Sequence, residues 1–224
     1  MVNAAKVPTG IPGFDKLING GFEPYSINLI TGKTGTGKSI FCTQFLYNGV
    51  VMYGEKGLYV TTEEHPDFIR RQAAAVGMNL QDLQKKGYIT IVGLEPFEVD
   101  LLTTKTSEFI SSTGAKRVVI DSVSMFELYI NDPFKIRKAL FKFLQNIRQM
   151  GVTVLVTAEV LEESNALSRF GVIEFLVDSV IVLQYMSIAK YKRSLMIRKM
   201  RISDHSTNIH PFEITNKGIV VRSI

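Results

Sequence analysis

The sequence predicts an α/β protein with a mostly parallel twisted sheet, helices on both of its faces, and an antiparallel extension at the C-terminal end. Three observations carry this. Short apolar runs alternate with helical patterns up to about residue 157, which is the pattern of a parallel sheet covered on both sides. Four strand-like runs then follow one another with no helix between them. The chain, at 224 residues, is long enough for one large core and short for two.

Taken in order, residues 25–31 form an apolar, strand-like run and residues 37–52 a helix. Residues 57–62 are a second strand, followed by a helix over 66–76. Residues 88–92 are a third strand, with a helix at 101–113. Residues 117–121 are a fourth, before a strongly amphipathic helix over 133–150, and 152–157 are a fifth. The closing runs, 179–184, 194–199, 209–214 and 218–222, read as the antiparallel extension of the same sheet, so that residues 1–224 make one domain.

Composition narrows the class. With 46% hydrophobic and 21% charged residues the chain is ordinary globular protein, and disorder is excluded. Its apolar runs are strand-sized, short of the roughly 18–20 residues a membrane helix needs. No charged-then-apolar leader precedes Val7, and the single Cys42 can form neither an intramolecular disulfide nor a zinc site. The cytoplasm is the expected compartment. A net charge of +5 is compatible with polyphosphate or nucleic acid without selecting either. The basic residues gathered late in the chain (Lys190, Lys192, Arg193, Arg198, Lys199, Arg201) read first as a strand facing solvent or a neighbouring subunit, and second as a nucleic-acid groove.

The most specific motif is Gly32-Lys33-Thr34-Gly35-Thr36-Gly37-Lys38-Ser39, which fits G-x-x-x-x-G-K-[ST] between a predicted strand and a predicted helix. Glycines allow backbone N–H groups to curl around phosphate oxygens, and the helix N-terminus adds the positive end of its dipole. Thr34, Gly35, Thr36, Gly37, Lys38, Ser39 and Ile40 are the expected nucleotide contacts. Lys38 brings a cation to the β- and γ-phosphates, and Ser39 offers a hydroxyl to Mg²⁺. Asp121, ending the apolar run Arg117-Val118-Val119-Ile120, is the expected magnesium-organising carboxylate, acting through water from the strand next to the phosphate loop. ATP and Mg²⁺ are the implied ligands. Hydrolysis also needs a base to orient water, and Glu63-Glu64 closes the second strand at the same sheet edge. One of the pair acts as general base and the other supports it.

These segments together resemble the KaiC family of RecA-like P-loop ATPases over nearly the whole chain. Thr9-Gly10-Ile11-Pro12-Gly13-Phe14-Asp15 with Gly20-Gly21 is similar to the family's opening signature. Phe45-Leu46-Tyr47-Asn48-Gly49, Val60-Thr61-Thr62-Glu63-Glu64 with Pro66, Ile120-Asp121-Ser122-Val123, Arg169-Phe170-Gly171-Val172, and Glu174-Phe175 with Asp178 follow in the family's order. The resemblance implies a slow ATPase that assembles as a hexameric ring with nucleotide between subunits and acts through protein partners in a signalling or regulatory role. It implies further that Lys199 and Arg201, a K-x-R pair, reach the nucleotide of the adjacent subunit, with Ser203 and His205 as additional contacts there. Three features depart from the family. The clock proteins carry two such domains with phosphorylatable side chains, whereas this chain carries one, so the resemblance does not extend to a clock or autokinase role. Pro24-Tyr25-Ser26 stands where the family has a Pro-x-Gly turn, and Asn216 stands where an aspartate is frequent.

A recombinase-like ATPase that binds single-stranded DNA is the rival reading. Its DNA loop would be residues 160–175, where Arg169 and Phe170 suit backbone contact and base stacking. Glu159, Glu162, Glu163 and Glu174 make that stretch net acidic, and no separate DNA-binding module flanks the core. A nucleotide-binding regulator with negligible turnover is a third reading. The intact Lys38, Ser39, Asp121 and Glu63-Glu64 set argues against it.

Overall fold

The computed structural model describes residues 5–94, 99–130, 132–161, 163, 166–169, 171–186 and 191–222. Glu162, Phe170 and Lys190 therefore lie outside the described residues. The chain forms β1 (Ile27–Gly32), α1 (Lys38–Tyr53), β2 (Gly57–Thr61), α2 (Pro66–Ala75), α3 (Leu80–Lys85), β3 (Ile89–Gly93), α4 (Val99–Thr113) and β4 (Arg117–Asp121). It continues through α5 (Ser124–Tyr129), α6 (Pro133–Gln149), β5 (Thr153–Glu159), β6 (Ser179–Tyr185), β7 (Arg193–Met200), β8 (Ile209–Thr215) and β9 (Gly218–Val221).

All nine strands join one sheet in the order β3-β2-β4-β5-β1-β6-β7-β8-β9. The pairings from β3 through to β6 are parallel, and those from β6 through β7 and β8 to β9 are antiparallel. Two expectations change here. The run at 179–184 was expected in the antiparallel extension, yet β6 lies parallel to β1, with Leu29 opposite Val180. The segment after β5 carries a 3-10 turn at Ile173–Phe175 and returns the chain to the starting edge of the sheet, doing the work of a crossover helix. Asp121 was expected on the strand beside the phosphate loop, but β5 lies between β4 and β1. α3 and α5, six residues each, have patterns too short to show periodicity.

Burial explains the layering. Every residue of β1 and β2 is buried, as central strands of a two-sided sheet require. One core lies beneath α1, α2 and α3 and includes Phe41, Phe45, Ile69, Leu80, Tyr59 and Val119. The other lies beneath α4, α5 and α6 and includes Leu102, Phe126, Leu140, Phe143, Leu58 and Val118. α6 starts where Asp132 accepts the Phe134 and Lys135 N–H groups, with Pro133 in its first turn. It buries Ile136, Leu140, Phe143, Leu144 and Ile147 on one stripe. The turn entering β1 forms without a glycine. Tyr25 takes φ 61, and the Ser26 N–H donates to Glu23 O at 3.3 Å. This holds a tyrosine in the left-handed region where glycine is the unstrained choice.

Candidate active site

The loop between β1 and α1 is built for backbone exposure. Gly35 and Gly37 take φ 75 and 109. A Cβ on Gly37 would stand 3.1 Å from Ile214 Cδ1, so a side chain there is opposed by both conformation and space. Thr36 is buried beneath the loop, its hydroxyl donating to Lys33 O at 2.8 Å. Thr34, Gly35, Gly37, Lys38, Ser39 and Ile40 line the cleft above it, together with Glu63, Glu64, Gln72, Asp121, Ser122, Glu159, Arg193 and Ile214. Lys38 Nζ folds back onto the loop, donating to Gly32 O at 2.9 Å and Lys33 O at 3.1 Å. Burial lowers its pKa, while the carboxylates of Glu159, Asp121 and Glu63 oppose that. A buried cation held by carbonyls at the mouth of a phosphate cradle is poised to exchange them for anionic oxygens.

Although β5 intervenes, α1 crosses the sheet and carries Ser39 to Asp121, its Oγ donating to Oδ2 at 2.7 Å. Tyr59 OH donates to the same oxygen, and Thr157 Oγ1 donates to Oδ1. With its proton on Asp121, Ser39 Oγ retains lone pairs able to accept or to ligate. The two adjacent glutamates differ in what each carboxyl meets. Glu63 Oε1 accepts from Ser122 Oγ. Ser122 is itself fixed, its N–H donating to Thr62 Oγ1 at 3.0 Å while Thr62 Oγ1 donates to Ser122 O at 2.7 Å. Desolvation raises the Glu63 pKa, the Ser122 hydrogen bond lowers it, and the Glu159 and Asp121 charges raise it further. Glu64 lines the cleft, and its contacts to Thr61 Oγ1 run through its backbone.

The late strands place two sets of cations differently. From β7, Arg193 NH2 donates to Gly35 O at 3.1 Å, and its guanidinium lies 5.3 Å from the Tyr185 ring centroid, over the mouth of the loop. Lys199, near the other end of β7, and Arg201, one residue beyond it, stand apart from that loop. Lys199 Nζ donates to the carbonyls of Glu174 at 2.8 Å and Val177 at 2.6 Å. Arg201 NH2 donates to Phe175 O at 3.3 Å, and its NH1 is 3.8 Å from Asp178 Oδ1. Ser203 Oγ accepts from Lys6 Nζ at 2.8 Å, and the His205 N–H donates to Asp204 Oδ1 at 2.9 Å. Lys199 and Arg201 thus share the 174–178 segment, whereas Ser203 meets Lys6 and His205 meets Asp204, and none of these contacts involves the phosphate loop.

Comparison with known proteins gives the family. The family described as "ATPase: KaiC" matches residues 7–224. The chain belongs to the KaiC ATPase family. A crystal structure of a KaiC-like protein from Pyrococcus horikoshii superposes with a TM-score of 0.89 at 41% identity, covering 98% of this chain and 99% of that one. A UPF0273 protein of Methanocaldococcus jannaschii is 37% identical, with 96% of each chain covered. The circadian clock oscillator protein KaiC of Parathermosynechococcus lividus is also 37% identical, but the match spans 96% of this chain and only 42% of that protein. The chain thus covers less than half the length of that clock protein.

Membership in the KaiC family supports ATP binding, and the residues present fit Mg-nucleotide. Among the described residues no group of three His, Cys, Asp or Glu side chains forms a metal cage. Mg²⁺ needs none where one carboxylate, a hydroxyl, water and phosphate oxygens complete its shell. Ser39 and Asp121 would hold it, and when bound it would neutralise charge developing on the phosphates. Sequence reasoning did not assign Gln72, Ser122, Glu159, Arg193, Ile214, Tyr59 or Thr157 to this cleft. Glu159 ends β5 as Asp121 ends β4, a signal that was available. Arg193, Tyr59 and Thr157 reach the site through strand order and side-chain direction, which no local pattern encodes. No described helix is long and apolar enough to cross a membrane.

Proposed function

We propose that residues 1–224 act as one Mg-dependent ATPase domain that hydrolyses ATP slowly in the cytoplasm. In this reading it assembles as a ring, hexameric as the family resemblance implies, with nucleotide between subunits, and serves a signalling or regulatory role through protein partners. Thr34 to Ile40 bind nucleotide, Lys38 and Arg193 face its phosphates, and Ser39 and Asp121 organise Mg²⁺. Glu63, held by Ser122, orients the attacking water, and Glu64 supports it. Lys199, Arg201, Ser203 and His205 serve the neighbouring subunit's nucleotide.

The observation that carries the ring is the level of Arg201 in the sheet. Its N–H donates to Asp178 O at 2.9 Å, and the Asp178 N–H donates to Ile27 O at 2.8 Å, so Arg201 is level with the first residue of β1. The phosphate loop begins at the last residue of that six-residue strand. At ~3.3 Å per residue the separation along the sheet is about 17 Å, beyond the reach of one side chain. A half-buried Lys199 and an exposed Arg201 this far from their own nucleotide suit a head-to-tail assembly, where that edge meets the next subunit's loop.

The test is subunit complementation. Lys38→Ala removes the phosphate cation and Arg201→Ala the trans cation, and each variant alone is expected to release no phosphate from Mg-ATP. Mixed one to one and allowed to exchange, about one interface in four pairs an intact loop with an intact Arg201, and activity returns to about that fraction of the parent. Full activity of Arg201→Ala alone, or a co-assembled mixture that stays inactive, would remove the trans assignment and leave the phosphate site standing.

A further inference from the structure

Behind the cleft lies a side chain with none of the roles above. Tyr59 lies on β2 opposite Val119 of β4, with its body in the core beneath α1 and none of its surface exposed. Its neighbours Leu58 and Val60 face the opposite core, so the strand's alternation would be satisfied at position 59 by phenylalanine. Burying the hydroxyl of a tyrosine is unfavourable unless that group finds a partner. Here it reaches past Val119 toward the sheet's C-terminal edge and donates to Asp121 Oδ2, the oxygen that also accepts from Ser39 at 2.7 Å. Thr157 holds the other oxygen. Three hydroxyls from α1, β2 and β5 thus fix one carboxylate, and the phenol is the only one of the three that belongs to a large, immobile ring.

We infer that Tyr59 is a positioning residue for magnesium: its buried phenol locks the rotamer of Asp121, so that the carboxylate and the Ser39 hydroxyl face the metal together. Burial, followed by the charge of Asp121, pushes the phenol's pKa well above its ordinary value. Partners that orient a metal-organising carboxylate govern metal affinity even though they never touch the ion. The inference rests on the nucleotide site proposed above.

The variant is Tyr59→Phe, which keeps the ring and removes one oxygen. The probe is a fluorescent ADP analogue titrated with and without Mg²⁺, together with the Mg²⁺ concentration that half-saturates the nucleotide-dependent signal. Affinity without Mg²⁺, which reports the phosphate loop, is expected to match the parent, while the Mg²⁺ midpoint rises about tenfold. A thermal melt run alongside separates this from a packing role, since a purely structural tyrosine would lower the melting temperature and leave the Mg²⁺ midpoint in place. An unchanged midpoint in folded Tyr59→Phe overturns the inference. A parent protein whose nucleotide affinity is indifferent to Mg²⁺ overturns the metal site itself, and the role of Tyr59 with it.

Discussion

Arg117 opens β4 with 1% of its side chain exposed, a full positive charge beneath the end of α1. Its Nε donates to Glu55 Oε2 at 2.6 Å and its NH1 to Phe45 O at 3.1 Å. The guanidinium lies 4.6 Å from the Phe45 ring centroid and 5.0 Å from that of Tyr53. Gly49 leaves room for its stem, since a Cβ there would run into Arg117 Cδ. Replacing Glu55 by Gln keeps the shape and removes the counter-charge. Breaking a fully buried pair from one side costs about 3–5 kcal/mol. Glu55 is 35% exposed, so water reaches the gap, and the expected loss is about 2–3 kcal/mol, the scale of one charge-assisted hydrogen bond. Arg117→Met removes the buried charge along with its partner's task and leaves Glu55 to solvent, for an expected loss of about 1 kcal/mol. Urea unfolding at neutral pH, with equal slopes for all three proteins, measures both values. The buried residue should thus be the more dispensable of the two. If Arg117→Met costs more than Glu55→Gln, burial rather than pairing governs this site and the reasoning fails.

Two further outcomes concern the cleft. A base must be unprotonated, and desolvation raises Glu63 above its ordinary value of 4.5, so hydrolysis should fall away as pH drops through a limb displaced above that value. Ser122→Ala removes the donor that lowers this pKa and should carry the limb higher still, whereas Glu63→Gln should abolish turnover and leave nucleotide binding in place; pH–rate profiles and a binding titration check both. Saturating Mg-nucleotide at about a hundred times its dissociation constant should stabilise the parent by about 2.7 kcal/mol, a shift of roughly 5–10 °C for a domain of this size. Lys38→Ala should lose most of that shift in a thermal melt, and a variant that keeps it would show that the ammonium does not meet the phosphates.

Features that consecutive residues encode were legible in one dimension. The phosphate loop is legible because Gly35 and Gly37 need backbone conformations that side chains oppose, and because Lys38 and Ser39 follow them into a helix. The alternation of apolar runs and helices gave the parallel sheet, since strands buried on both faces have no polar side to show. Asp121 was legible as a carboxylate ending a buried run.

Only the tertiary structure decided what depends on the neighbours of each residue. Adjacent glutamates look alike in one dimension, and Glu63 is set apart because its carboxyl meets Ser122 while the contacts of Glu64 run through its backbone. The parallel direction of β6 depends on where the preceding segment delivers it, and the insertion of β5 between β4 and β1 depends on which strands find one another. Arg193 over its own phosphate loop opens β7, Arg201 at the far edge of the sheet follows its last residue, and the pairing of β7 with β6 sets which end meets the loop. Register is a property of the pairing rather than of the strand, because it is set by which faces pack together and by the connections that join the strands.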